Sequence, residues 1–125
     1  MVSIDNFQRV FSLAPNASCG MLFCQGCVAE VGEDVVESIN AIGESGRLFF
    51  VLFRNIRGTP HKSQEVFLDE VDMDMVWAME AYRDVGFEGP FMMDHTPGIP
   101  ADVRGLASRS YSNGYIKALL QAVYR

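Results

Sequence analysis

Three short apolar runs in this chain each give way abruptly to polar, chemically capable residues. Met21-Leu22-Phe23 precedes Cys24-Gln25-Gly26, Leu48 through Phe53 precedes Arg54-Asn55, and Phe91-Met92-Met93 precedes Asp94-His95. The middle run has no alternation, as expected for a strand covered on both faces. Between the runs, apolar positions recur at helical spacing. Ile4, Phe7, Val10 and Phe11 predict a first helix, broken by Pro15-Asn16. Val35, Val36, Ile39 and Ile42 predict a second, opened by Glu33-Asp34, where the helix dipole favours negative charge, and stopped by Gly43 and Gly46. Met75, Val76, Met79 and Tyr82 predict a third, capped by Asp72 or Asp74 and ended at Gly86. Ile116, Leu119, Leu120 and Val123 predict a last helix from about Ser112 to Tyr124. Arg54 to Val71 follows neither period and reads as a long loop, of a length that usually carries function.

The order helix, strand, helix, strand, helix, strand, helix specifies an α/β protein with a parallel sheet, a class that collects its chemistry at the carboxyl ends of the strands. Gly26 is read as the end of the first strand. Cys24, Arg54, Asp94 and His95 would then share one rim. With no repeat, low-complexity tract or linker, residues 1–125 form a single domain. Its size is unusual: three strands are less than half of an eight-stranded barrel, which takes about 250 residues. An open sheet of this kind leaves two free edges.

Composition narrows the picture. The 125 residues are 49% apolar, enough for one core in a soluble globular protein, and the net charge of −6 without a basic block argues against nucleic acid or an anionic membrane as partner. The longest apolar run is too short to span a bilayer. An anionic substrate would need local positive charge, from Arg54, Arg57, Lys62 or a metal. The three cysteines, Cys19, Cys24 and Cys27, are odd in number and clustered, with no signal peptide ahead of them, so a reduced, cytoplasmic setting is expected. Cys24-Gln25-Gly26-Cys27 has C-x-x-C spacing, yet no second pair completes a structural zinc site, and a redox dithiol would be expected to open a helix.

At the strand ends each residue has two readings. Cys24 is either a buried small hydrophobe or, with carboxylate and imidazole, a ligand for a divalent transition metal. Asp94 either caps a turn near Thr96 or answers a metal, a cation or several donors. His95 is either an ordinary surface or core histidine or a group that moves protons. Arg54 either holds a substrate carboxylate through its planar fork or pairs with Asp69 or Glu70. Asn55 either joins it or makes a turn, and His61 is read as solvated.

A longer comparison joins these pieces. Phe23-Cys24-Gln25-Gly26, Glu30-Val31-Gly32-Glu33-Asp34, Phe49 through Asn55, Glu65 through Glu70, Asp72-Met73-Asp74-Met75, and Gly86 through Pro90 on to Asp94-His95 together resemble the carboxyl-terminal part of the mannonate dehydratases. The resemblance covers nearly the whole chain. It implies an incomplete TIM (β/α) barrel of the xylose isomerase-like group, with about three parallel strands alternating with helices. It also implies a lyase that removes water from D-mannonate to give 2-keto-3-deoxygluconate in hexuronate (glucuronate) catabolism. The family's cofactor is Mn²⁺ or Fe²⁺, held by two histidines, a cysteine and an aspartate. Cys24 matches the cysteine ligand, Asp94 the aspartate, and His95 the adjoining histidine of proton transfer; Arg54 and Asn55 fall in the segment expected to bind substrate. A family tyrosine base falls near Arg109 to Tyr115, where Tyr111 and Tyr115 compete, Tyr111 being preferred.

The departures are specific. Leu52 stands where the family has a histidine ligand, and leucine cannot coordinate a metal; the other histidine would lie upstream of Met1. The expectation is a dehydratase by descent with little activity in the isolated chain. Its rivals are a non-catalytic remnant that needs a complementing barrel fragment, a sugar isomerase-like enzyme, and a redox module using Cys24 and Cys27. Expected partners are a sugar acid and either a second copy of the chain or a complementing fragment.

Overall fold

A computed structural model describes residues 3–70 and 72–125. Val71, the end of the expected loop, and Met1 lie outside the described residues. The elements are α1 (Ile4–Leu13), β1 (Met21–Cys24), α2 (Gln25–Glu30), α3 (Val35–Gly43), β2 (Leu48–Leu52), β3 (Asn55–Arg57), β4 (Gln64–Val66), α4 (Met75–Asp84), β5 (Phe91–Met92) and α5 (Leu106–Val123), with a 3₁₀ turn at Val103–Gly105 before the last. β1, β2 and β5 form a parallel sheet in that order, as the apolar runs predict. Among the described residues no helix is long and apolar enough to cross a membrane.

Local chemistry explains most of the boundaries. Ser3, Asp34 and Asp74 cap α1, α3 and α4: their side-chain oxygens accept from the amides of Asn6 at 3.3 Å, Glu37 at 2.8 Å and Val76 at 2.9 Å. Asp72, the other candidate cap, instead accepts from the Gly58 amide at 2.9 Å. The helix α5 starts at Leu106, earlier than expected. No apolar stripe marks its first turns; the Asp102 carboxylate initiates it by accepting from the amides of Ala107 and Ser108 at 2.9 and 3.0 Å. Those amides also hold the Asp102 pKa below its usual value.

Two elements differ from the sequence reading. The strand β1 ends at Cys24, before Gly26, and the chain turns directly into α2, an additional short helix. The stretch from Arg54 is not an unstructured loop, because Asn55–Arg57 pairs antiparallel with Gln64–Val66. The turn-forming Gly58-Thr59-Pro60 between two short β-compatible segments is the hairpin signal.

Register defines two faces of the parallel sheet. Phe23, Val51 and Phe91 form one row, and Cys24, Leu52 and Met92 the next, which points to the opposite face. The first face meets the helices, and Phe23 and Val51 are fully buried there. The other face stays partly open, with Leu22 55% and Met92 42% exposed. On the middle strand Val51 is buried while Phe50 and Leu52, on the other side, are half-buried, where its unbroken apolar run predicts full cover on both faces. An apolar run records what a strand is suited to pack against, and this chain supplies one helical layer.

Tyr82 from α4 centres the covered face. It is fully buried and meets Phe23 and Phe91 edge to face, at centroid distances of 6.1 and 5.2 Å. Burial raises its pKa well above the usual tyrosine value. Its hydroxyl donates to Gln25 Oε1 at 3.1 Å, and Gln25 Nε2 reaches the sulfurs of Met73 and Met75, both at 3.3 Å. Gln25 directly follows Cys24, so the core holds the β1–α2 turn. Tyr82→Phe should strip the buried Gln25 oxygen of its donor and cost about 1–3 kcal/mol, read as a lower urea midpoint with an unchanged m-value.

Candidate active site

Strand alternation aims the candidate residues. On β2 and its extension, Val51 and Phe53 enter the helical core, while Leu52 and Arg54 take the opposite sense; at β5, Met93 is buried and Met92 and Asp94 alternate with it. Cys24, Leu52, Arg54 and Asp94 thus lie on one side, at the carboxyl ends of three adjacent parallel strands.

Arg54 is the hub. Its side chain is 7% exposed and crosses Gly26 so closely that a Cβ there would lie 2.7 Å from Arg54 Cγ and Nε. Nε donates to Cys24 Sγ at 3.4 Å and lies 3.8 Å from Asp94 Oδ2. Nη2 donates to Cys27 Sγ at 3.5 Å and to Glu30 Oε1 at 3.0 Å, and Nη1 lies 3.8 Å from Glu65 Oε1. The thiol and the carboxylate that sequence spacing singles out therefore meet on one guanidinium. The alternative reading of Arg54, an ion pair with Asp69 or Glu70, does not form among the described residues; Glu70 pairs with Arg57 at 3.2 Å. The strand pairing of β3 with β4 brings Glu65 to Arg54 instead.

His95 completes the cluster. Its side chain is 54% exposed, Nδ1 lies against Glu65 Oε1, and Nε2 is 3.2 Å from Asp94 Oδ2. Asp94 adopts a φ of 61°, in the left-handed region that non-glycine residues rarely occupy, and this bends the chain so that Asp94 and His95 both face the cluster. Asn55 is fully buried; its Nδ2 donates to the Glu70 carbonyl at 2.6 Å, which ties the hairpin to the following turn, and its Oδ1 has no hydrogen-bond partner among the described residues. Tyr111 stacks edge to face on Phe67 at 5.7 Å and leans on Tyr115 at 6.4 Å. Desolvation and a hydrogen bond to Asp69 push its hydroxyl up to about 12. Both tyrosines thus border the segment after β4. His61 is exposed in the hairpin loop.

Glu30 and Glu65 are the site residues that sequence reasoning missed. Glu30 lies one helical turn beyond Cys27 on α2, which was not expected to exist. Glu65 becomes visible only once the hairpin register sets it opposite Ile56.

The electrostatics are those of a carboxylate-rich corner held by one cation. Arg54 is kept firmly protonated: its hydrogen bonds to Cys24, Cys27 and Glu30 outweigh the opposing, largest effect of burial and raise its pKa. Burial pushes the Cys24 thiol up to about 11, against the lowering effect of Arg54. Among the described residues no three His, Cys, Asp or Glu side chains are disposed to hold a metal ion. Leu52 occupies the row between Cys24 and Met92, and the Arg54 guanidinium bridges Cys24 and Asp94. The described residues by themselves do not fit a Mn²⁺ or Fe²⁺ centre.

Comparison with known proteins decides the family. Residues 1–125 match the family model described as D-mannonate dehydratase (UxuA). The chain belongs to the D-mannonate dehydratase family. Among curated relatives of this dehydratase-family chain, mannonate dehydratase 2 of Halalkalibacterium halodurans is 33% identical over 126 residues, covering 94% of the chain and 36% of that protein. The mannonate dehydratase of Brachyspira hyodysenteriae is 30% identical over 131 residues, covering 98% and 36%. The crystal structure of mannonate dehydratase from Streptococcus suis serotype2 superposes with a TM-score of 0.88 at 21% identity, over 97% of this chain and 37% of that one. That enzyme is TIM-barrel-like, so the three-stranded parallel sheet with its helices is an incomplete barrel. The chain spans just over a third of the length of these relatives.

Two outcomes test the site's energetics. Arg54→Leu should leave Glu30, Glu65 and Asp94 without their shared cation and cost about 3 kcal/mol, the low end for such removals because the carboxylates keep some water, as measured by urea unfolding. The raised Cys24 pKa gives stability that is complete below the unfolded thiol's 9.0 and is lost as pH rises through about 11. The melting temperature should therefore fall between pH 9 and 11, and Cys24→Ala should flatten that part of the profile.

Proposed function

We propose that this chain carries the strand-end corner of a mannonate dehydratase-type lyase, which removes water from D-mannonate to give 2-keto-3-deoxygluconate in hexuronate catabolism. The observation that carries the reading is the meeting of Cys24 and Asp94, from separate strand tips, on the Arg54 guanidinium beside His95. What supports it further is membership of the dehydratase family over the whole chain.

In this reading the chain's own residues divide the work. Arg54 is a positioning residue, since its donors turn inward onto Cys24, Cys27, Glu30, Glu65 and Asp94. His95 is the accessible group that handles protons. In its protonated form it would donate toward Glu65 and Asp94, and it would transfer a proton to the hydroxyl that departs from the carbon next but one to the substrate carboxylate. Removal of the proton beside that carboxylate falls to a base that Tyr111 or Tyr115 would supply.

Three carboxylates around one guanidinium leave no spare positive charge to receive a sugar acid. That lack of free positive charge, with leucine at position 52, supports weak activity in the isolated chain. The exposed apolar positions Leu22 and Met92, on the same face, favour a second reading: a non-catalytic remnant completed by the strands of another barrel fragment. A cytoplasmic setting accords with the free cysteines.

A dehydration assay on D-mannonate, with Mn²⁺ titration by calorimetry, separates the two. The dehydratase reading expects slow turnover that His95→Asn abolishes. Leu52→His, which places an imidazole in the row beside Cys24, should tighten Mn²⁺ binding by about tenfold or more. Absence of turnover from both the natural chain and Leu52→His, with no Mn²⁺ bound by either, would leave only the remnant reading.

A further inference from the structure

Cys24 and Cys27 sit differently from Cys19, and the dehydratase reading gives the Cys27 thiol no chemical step. The helix α2 starts from Cys24, and the Cys27 amide donates to the Cys24 sulfur at 3.3 Å. One guanidinium donates to both sulfurs, Arg54 Nε to Cys24 at 3.4 Å and Nη2 to Cys27 at 3.5 Å. Both sulfurs therefore lie on the same side of the helix start. Cys24 is the N-cap of α2 and Cys27 sits in its first turn, so closing a disulfide requires their Cβ atoms to come to roughly 3.5–4.5 Å within that turn.

Access is arranged as a two-step exchange requires. Cys27 is exposed and Cys24 buried. Both line an apolar cavity of about 400 Å³, walled by Ile4, Phe7, Leu22 and Val28 among others, which admits a small molecule to the pair. A redox pair is expected to open a helix, and Cys24 is the N-cap of α2.

We propose that Cys24 and Cys27 are a reversible dithiol–disulfide pair oxidised by a low-molecular-weight disulfide. The exposed Cys27 thiolate attacks one sulfur of the small disulfide, forms a mixed disulfide and expels one thiolate. Cys24 gives its proton to that thiolate and attacks Cys27 Sγ, expelling the second small molecule as a thiolate that takes up the proton Cys27 released. Two protein thiols and one small disulfide become one protein disulfide and two small thiols. An excess of small thiol reverses the exchange. Because Arg54 touches both sulfurs, the new bond forms under the guanidinium that gathers Glu30, Glu65 and Asp94, so the redox state of the pair is felt at the candidate active site.

The pairing is independent of the dehydratase reading and is read by mass whether or not the chain turns over a sugar acid. The folded full chain is incubated with excess glutathione disulfide, quenched in acid, alkylated and peptide-mapped. The expected result is the loss of two of the three titratable thiols, a Cys24–Cys27 link, an alkylated Cys19, and full recovery with excess reduced glutathione. Cys24→Ser should stop at a glutathione adduct on Cys27. Cys27→Ser should form no internal bridge and acquire an adduct at buried Cys24 at least about tenfold more slowly. A stable Cys27 adduct in the natural chain, a bridge to Cys19, or no loss of thiols under these conditions would overturn the proposal. Should Cys24→Ser fail to fold, the natural chain and Cys27→Ser still decide it.

Discussion

The Arg54 guanidinium is the constraint on which the polar end of this molecule depends. The two outer parallel strands deliver a thiol and a carboxylate to the guanidinium that follows the middle one, and a hairpin and a short helix add two more carboxylates. Carboxylates crowded together repel one another unless a cation stands among them. A single buried arginine serves because its planar fork presents donors in several directions at once. Gly26 leaves room for it, since any side chain there would collide with the guanidinium.

That arrangement is anchored from below by the apolar core. Tyr82 packs against Phe23 and Phe91, which lie one residue before the Cys24, Leu52, Met92 row, and its hydroxyl holds Gln25 in place after Cys24. Strand alternation converts this packing into aim: burying Phe23, Val51 and Phe53 turns Cys24, Leu52 and Arg54 to the other side. The same alternation explains why Leu52 matters chemically. It sits in register with Cys24, where the dehydratase resemblance expects a histidine.

The open side of the sheet gives the molecule its second character. A face with Leu22 and Met92 exposed is apolar surface left in contact with water, which a completed barrel would cover. The family relationship and the span of just over a third of its relatives are consistent with that geometry. The hub therefore stands at the junction of a well-packed helical layer and a sheet face suited to further packing.

Local composition determined the three parallel strands, helices α1, α3 and α4 and the parallel class, because hydrophobic periodicity and side-chain caps act over a few residues and remain visible in the order of letters. Cys24, Asp94 and His95 were legible for the same reason, each following an apolar run, and the family resemblance rested on those words. Tertiary structure alone decided that Arg54 takes Glu30, Glu65 and Asp94 rather than Asp69 or Glu70, that Asn55 is buried in the hairpin anchor, that α2 begins at Cys24, and that Cys27 shares the guanidinium. These depend on register, on which face the helices cover, and on backbone φ at Asp94. Such quantities are set by residues tens of positions apart, and no short stretch of sequence contains them.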